Sequence, residues 1–309
     1  MVTGLHSFFR RLILTLAGNR LVTRLVSRYG MRLGARRFVA GEDWEQAVVQ
    51  VKALNDSRMS TTLDYLGESV TDTAQARAAR DTYLALLEKI DASGVRASVS
   101  LKLTQMGLDI SRELCVENVG AIVRKAADLG NFVRIDMEGS AYTQVTIDIY
   151  RELRRDFDNV GLVIQAYLYR SEEDVRSLAG LRPDLRLCKG AYLEPADVAF
   201  PRKADVDENF KNLIALNLGQ GGRTAVATHD EKIISWTEAY IRENRVPKEL
   251  YEFQMLYGIR PALQRRLADA GHPVRIYVPF GTEWYPYFTR RLAERPANVL
   301  FFLGNLLRR

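Results

Sequence analysis

The sequence predicts an α/β fold, a (β/α)8 barrel of TIM type preceded by helices, and three observations predict it. From residue 60 onward, eight short β-prone runs alternate with longer helical patterns. Their starts lie 22 to 40 residues apart, the length of a strand, a helix and two short loops, which is the repeat of parallel βαβ units. No Gly-rich turn follows the first run, as a doubly wound nucleotide-binding sheet would require. The nearest cluster, Gly219, Gly221 and Gly222, precedes a run and reads as the left-handed turn that ends a helix.

The elements are justified in order. The first run, 61–65, is opened by β-branched threonines, and the helical stretch after it is closed by Gly94. Runs 97–103 and 132–137 alternate apolar with polar residues and are separated by a stretch that Gly130 closes. Run 162–166 leads into Ser171 with Asp174 three residues later, a capping-box spacing, and Gly180 closes that stretch. Runs 184–188, 224–228, 251–255 and 274–279 complete the set. After the last, Gly281 and Thr282 open a helix running to about Arg295, stopped by Pro296. The expected organisation is a helical segment over 1–55 and one barrel domain over 56–309, since no linker or low-complexity tract divides the chain.

A chain of 309 residues, 47% hydrophobic and 27% charged, can bury a full core and is neither disordered nor fibrous in composition. No window holds the ~18 uninterrupted apolar residues of a membrane span. Cys115, Cys188, His6, His229 and His272 fall at no spacing of structural zinc, haem attachment or a paired redox motif. The net charge of +6 is uneven: residues 1–41 hold eight arginines and no lysine or carboxylate, leaving −2 on the remainder. Phe8, Phe9, Leu12, Ile13 and Leu16 share one helical face, while Arg20, Arg24, Arg28 and Arg32 form a basic ridge. Such a segment suits an anionic membrane surface, a targeting role or a solvated helix face. No aromatic-interleaved motif accompanies the arginines, so nucleic acid is not an expected partner.

Strand residues alternate sides, so each run can be sorted into a helix-facing and a barrel-facing set. Against apolar partners stand Ser98, Ser100 and Lys102 in the second run, Arg134 and Asp136 in the third, and Gln165 in the fourth. Arg186 stands so in the fifth, and Arg275 and Tyr277 in the eighth. A barrel interior is ordinarily branched and apolar, so these charges need partners or a ligand. Lys102, Asp136, Gln165, Arg186 and His229 fall late in or just after their runs, at the C-terminal mouth where barrel active sites are built. Lys102, Arg186 and Asp136 together leave a positive excess, which suits an anionic ligand or a cofactor that becomes anionic on reduction. On the last helix, Tyr287, Arg290, Arg291 and Glu294 reach one side. Two guanidinium forks for a carboxylate, with one carboxylate for an ammonium, make an amino-acid recognition set.

Seven stretches together resemble the proline dehydrogenase family in its single-function bacterial form, akin to the dehydrogenase domain of proline utilization A. They are SVSLKLTQMG (98–107), RIDMEG (134–139), IQAYLYRS (164–171), RLCKGAYLEP (186–195), ATHDE (227–231), FQMLYGIR (253–260) and YFTRRLAE (287–294). The resemblance implies a barrel that holds FAD noncovalently without a Rossmann motif. It implies oxidation of L-proline to Δ1-pyrroline-5-carboxylate, with electrons passed to a membrane quinone. A cytoplasmic place peripheral to the inner membrane, or the matrix side if mitochondrial, follows, with association to pyrroline-5-carboxylate dehydrogenase. By motif, Arg290, Arg291 and Lys102 would hold the substrate carboxylate, and Glu294, Tyr287, Tyr277 and Tyr192 would line its ring and amine. Asp136 and Arg186 match the catalytic pair beside the flavin. Met137, Gln165, Lys189, Gly190, Ala191, Thr228 and His229 match its surroundings. Glu68 matches a gate that pairs with Arg290 or Arg291. Leu193 departs from relatives that carry Trp there. The alternative from the residues alone is a Schiff-base barrel enzyme of class I aldolase type, using Lys102 or Lys189.

Overall fold

Eight parallel strands close into a barrel in sequence order, with β1 hydrogen-bonded to both β2 and β8. They are β1 (Ser60–Tyr65), β2 (Ala97–Leu101), β3 (Val133–Ile135), β4 (Val160–Gln165), β5 (Asp184–Cys188), β6 (Arg223–Ala227), β7 (Tyr251–Leu256) and β8 (Val274–Phe280). This is a computed structural model that describes residues 34–67 and 69–294 together with Val26, Gly30 and Met31. The basic ridge, Glu68 and the Glu294 side chain lie outside the described residues.

Helix α1 (Trp44–Asp56) precedes the barrel, and α2 (Thr73–Ser93), α3 (Arg112–Asp128), α4 (Thr143–Leu153) and α5 (Ser171–Ser177) follow the first four strands. After them come α6 (Lys203–Gly219), α7 (Glu231–Glu243), α8 (Pro261–Asp269) and α9 (Trp284–Glu294). Asp43, Asp72, Ser111 and Asp230 cap α1, α2, α3 and α7, each side chain accepting a first-turn N–H, an interaction worth about 1 kcal/mol. Gly94, Gly130 and Gly221 are left-handed at φ 62°, 62° and 76°, the exits the sequence predicts.

Packing follows the alternation. Leu63, Val99, Leu101, Val133, Ile135, Leu185, Leu187, Ile276 and Val278 point outward and are fully buried under the helices. Each such aliphatic side chain contributes roughly 1.5 to 3 kcal/mol of burial free energy. The alternate residues point inward and are mostly polar, Val163 and Ala225 beside Arg186 being apolar.

Some local expectations fail. Ser171 does not cap α5 but begins it, and its hydroxyl donates to Leu168 O at 2.8 Å. Asp174 accepts instead from Arg170 at 2.8 Å, because the chain enters this helix from a tight αR turn rather than an extended cap. Gly180 sits within a 3-10 turn (Ala179–Leu181), and Arg182 at φ 43° makes the left-handed exit. Pairing in β2 and β3 stops two residues short of the predicted runs, leaving Lys102 and Asp136 at the mouth.

Candidate active site

The barrel interior separates into two polar layers. In the lower one Arg134 of β3 contacts Asp184 of β5 at 2.5 Å, and Arg223 of β6 bridges Asp184 at 2.8 Å and Glu252 of β7 at 2.6 Å. Arg275 of β8 completes the chain on Glu252 at 2.9 Å. Only glycine fits at position 161, where a Cβ would lie 2.4 Å from Arg134 Nη1, so Gly161 opens the path that Arg134 takes across the barrel. Arg134 and Arg275 are therefore packing residues that largely neutralise themselves.

The upper layer opens onto the mouth of the barrel. Arg186 of β5 donates through Nη1 to Asp136 at 2.7 Å and to Ser100 at 3.2 Å, and through Nε to Gln254 of β7 at 2.5 Å. Its guanidinium lies 5.2 Å from the Tyr277 ring centroid. Tyr277 Oη lies 2.5 Å from Asp64 of β1 and 2.9 Å from Asp136. Lys102 Nζ lies 3.2 Å from Asp64 and 3.9 Å from Asp136. Burial pushes the Asp64 carboxyl above its ordinary range against the pull of Lys102, and burial with the two carboxylates pushes the Tyr277 phenol well up.

At the mouth, Lys189 is clasped by Asp207 at 2.5 Å and Asp230 at 2.7 Å, and Lys203 reaches the same two carboxylates. Burial opposes the charge of Asp230, yet hydrogen bonds from Lys189 and Lys203 hold its carboxyl well below the usual carboxylate range. Gly190 has φ 113°, and a Cβ there would meet the Tyr167 ring at 2.4 Å, so the KGAY glycine lets this loop fold flat onto that ring. His229 Nε2 accepts the Leu256 N–H at 3.0 Å. Arg291 stacks on Tyr287 of the same helix, with 5.2 Å from guanidinium to ring centroid, and both face the barrel axis from α9.

One cavity of about 880 Å³ connects these groups. Its walls include Lys102, Asp136, Met137, Gln165, Arg186, Lys189, Gly190, Ala191, Tyr192, Thr228, His229, Tyr277, Tyr287, Arg290 and Arg291. Every predicted site residue thus meets at one place except Glu68 and the Glu294 side chain, which lie outside the described residues. Cys188 also lines it, but burial pushes its thiol up to about 12, so it offers no thiolate.

Residues absent from the predicted set are Asp64, Gln254, Asp207, Asp230 and Lys203. The same even-residue alternation that exposed Asp136 and Arg186 marks Asp64 in the first run and Glu252 and Gln254 in the seventh. Asp207 and Lys203 lie on α6 and carried no local signal. Asp64 also corrects the charge count: with it, the formal charges of Lys102, Arg186, Asp136 and Asp64 cancel.

Known proteins resemble this chain in sequence and in fold. The family model described as proline dehydrogenase matches residues 47–302. Proline dehydrogenase 1 of Bacillus subtilis strain 168 is 46% identical over 300 residues, covering 97% of this chain and 99% of the relative. The proline dehydrogenase of Deinococcus radiodurans is 41% identical over 309 residues, covering 98% and 99%. Among solved structures, proline utilization A from Bdellovibrio bacteriovorus, inactivated by N-propargylglycine, superposes with a TM-score of 0.79 at 26% identity. That match covers 88% of this chain and 33% of the longer one, so it concerns one third of that protein. A closed eight-stranded barrel, a polar mouth built at its C-terminal end and near full-length identity to curated relatives lead to one assignment: the chain belongs to the proline dehydrogenase family.

Proposed function

We propose that the mouth cavity holds FAD noncovalently with L-proline beside it, and that the protein oxidises proline to Δ1-pyrroline-5-carboxylate and passes the electrons to a membrane quinone. Two buried polar atoms on residues of the cavity wall carry this reading. Among the described residues, Arg186 Nη2 and Gln165 Oε1 meet no hydrogen-bond partner. A donor and an acceptor left this way cost about 1 to 3 kcal/mol each unless a ligand meets them, and the polar edge of an isoalloxazine presents both complements.

Bound flavin supplies the two-electron acceptor for hydride. The remaining work falls to side chains of this chain. Arg290, Arg291 and Lys102, on the β8–β2 side, would bind the proline carboxylate, with Tyr192, Tyr277, Tyr287 and Glu294 lining the ring and amine. Asp136 and Gln254 hold Arg186 in one orientation, so its charge is fixed beforehand where negative charge develops on reduction. On the β5–β7 side, Lys189, Thr228 and His229 would face the cofactor phosphates, with Met137, Gly190 and Ala191 along its length. The aldolase alternative loses ground at Lys189, which two carboxylates clasp, the reverse of the desolvated or cation-flanked setting that activates a Schiff-base lysine.

No described helix is long and apolar enough to cross a membrane. Delivery to a quinone would then rest on peripheral contact at the cytoplasmic or matrix face, through the basic ridge in residues 5–37, worth up to ~1 kcal/mol per arginine. Salt-sensitive co-sedimentation with anionic vesicles is expected; equal, negligible binding to neutral and anionic vesicles would remove this part. A pyrroline-5-carboxylate dehydrogenase is the natural downstream partner.

The purified protein is expected to be yellow, to release FAD on denaturing precipitation and to bleach with L-proline under anaerobic conditions. In Arg186→Met the bound flavin should be harder to reduce. A colourless protein that ignores added FAD, or one that holds FMN, overturns the proposal.

A further inference from the structure

Tyr277 Oη touches two carboxylates, Asp64 Oδ2 at 2.5 Å and Asp136 Oδ2 at 2.9 Å. A phenol has one proton and can donate to one of them only. Were both carboxylates ionised, the second contact would set lone pair against lone pair in a buried site. A second proton must therefore sit within this chain of three groups.

The surroundings decide where. Asp136 accepts through Oδ1 from Arg186 at 2.7 Å and from the Ser100 hydroxyl at 2.6 Å, the donor set of an anion. Asp64, fully buried, has for a cationic partner only Lys102 among the described residues, at 3.2 and 3.5 Å. Those distances exceed the 2.7 to 2.9 Å of a charge-assisted N–H···O⁻ bond. From the elements packed around it, Asp64 faces Lys102 (after β2), Asp136 (after β3), Tyr277 (β8) and Tyr83 (α2), while Ser100 (β2) and Arg186 (β5) reach Asp136.

We infer that Asp64 is protonated in the resting protein and acts as a positioning residue: it donates to Tyr277, which donates to Asp136, and its neutrality leaves one positive charge in excess among Lys102, Arg186, Asp136 and Asp64. That excess selects an anionic substrate, a conclusion that rests on the proposed carboxylate clamp. Burial, the largest influence on Asp64, and the nearby Asp136 both act to keep the proton on it. As pH rises far enough to ionise Asp64, the excess disappears and carboxylate ligands weaken.

Infrared difference spectroscopy on the full-length protein with 13C-labelled aspartate reads the proton directly. The carbonyl stretch of a protonated carboxyl is expected in wild type at pH 7 and absent from Asp64→Asn. No such band in wild type, or one that persists in Asp64→Asn, overturns the inference. Because the band needs neither flavin nor turnover, its absence leaves the proline dehydrogenase reading standing, while a colourless protein that shows it leaves the Asp64 assignment standing. Calorimetric titration of the holoprotein with cyclopentanecarboxylate, which has no amine to titrate, supplies the second readout. Its affinity should fall about tenfold across the alkaline limb, the factor tied to one unit of pKa coupling, and the limb should vanish in Asp64→Asn. An unaltered limb in that variant overturns the charge-setting role.

Discussion

Arg291→Met is expected to raise the KM for proline by about 30- to 1000-fold with flavin content unchanged, and to leave the carboxylate-free ring pyrrolidine almost unaffected. The magnitude follows from deleting one partner of a bidentate, partly desolvated charge pair, roughly 2 to 4 kcal/mol. Arg291 is half-buried on α9, lines the cavity and is braced by the Tyr287 ring 5.2 Å away. Its fork is therefore held before any ligand arrives, which keeps the ordering cost low. Met keeps the aliphatic bulk of the stem, so the helix should stay packed. Steady-state kinetics with both substrates make the comparison: equal losses for proline and pyrrolidine would assign Arg291 to the helix or the cofactor instead.

Glu252→Gln is expected to destabilise the fold by about 3 to 5 kcal/mol, a loss of roughly 6 to 10 °C in Tm for a domain of this size. Glu252 is 2% exposed and receives Arg223 at 2.6 Å, Arg275 at 2.9 Å and Gln254. Removing its charge leaves Arg275 without a carboxylate partner among the described residues and Arg134 and Arg223 sharing Asp184. Burial works against ionisation of Glu252, but Arg275 and Arg223 outweigh it and hold its carboxyl well below the ordinary value of 4.5. A depressed carboxyl contributes stability that is complete above that ordinary value and lost as pH falls toward the folded one. The Tm gap between wild type and Glu252→Gln should therefore be widest near neutrality and narrow on acidification below about 4.5. A gap that is absent at pH 7, or that widens in acid, contradicts the lower layer as an ion-pair lock.

How much was legible in the sequence follows from the range of each interaction. Strand alternation is local, so the period-2 pattern within five runs is enough to put Lys102, Asp136, Gln165, Arg186 and Tyr277 on the barrel-facing side. The same rule reaches Asp64, Glu252 and Gln254 in the first and seventh runs, which the expected site leaves out. The capping-box spacing at Ser171 misled because the conformation of Arg170, set by the loop leaving β4, decides whether a cap residue can be extended at all.

By itself the sequence determined eight βα repeats, the mouth as the place where charge collects and the motifs that tie the chain to its family. It could do so because each rests on residues a few positions apart. Only the tertiary structure decided which charges neutralise one another. Arg134 and Arg186 stand alike in their strands, yet one is locked to Asp184 below and the other is held by Asp136 and Gln254 beneath an open cavity. Tyr277 meets Asp64 across 213 positions of chain, a contact made when β8 closes on β1. Buried electrostatics depend on distances and burial that no local pattern encodes, so charge and proton positions in the site became readable only once the barrel had closed.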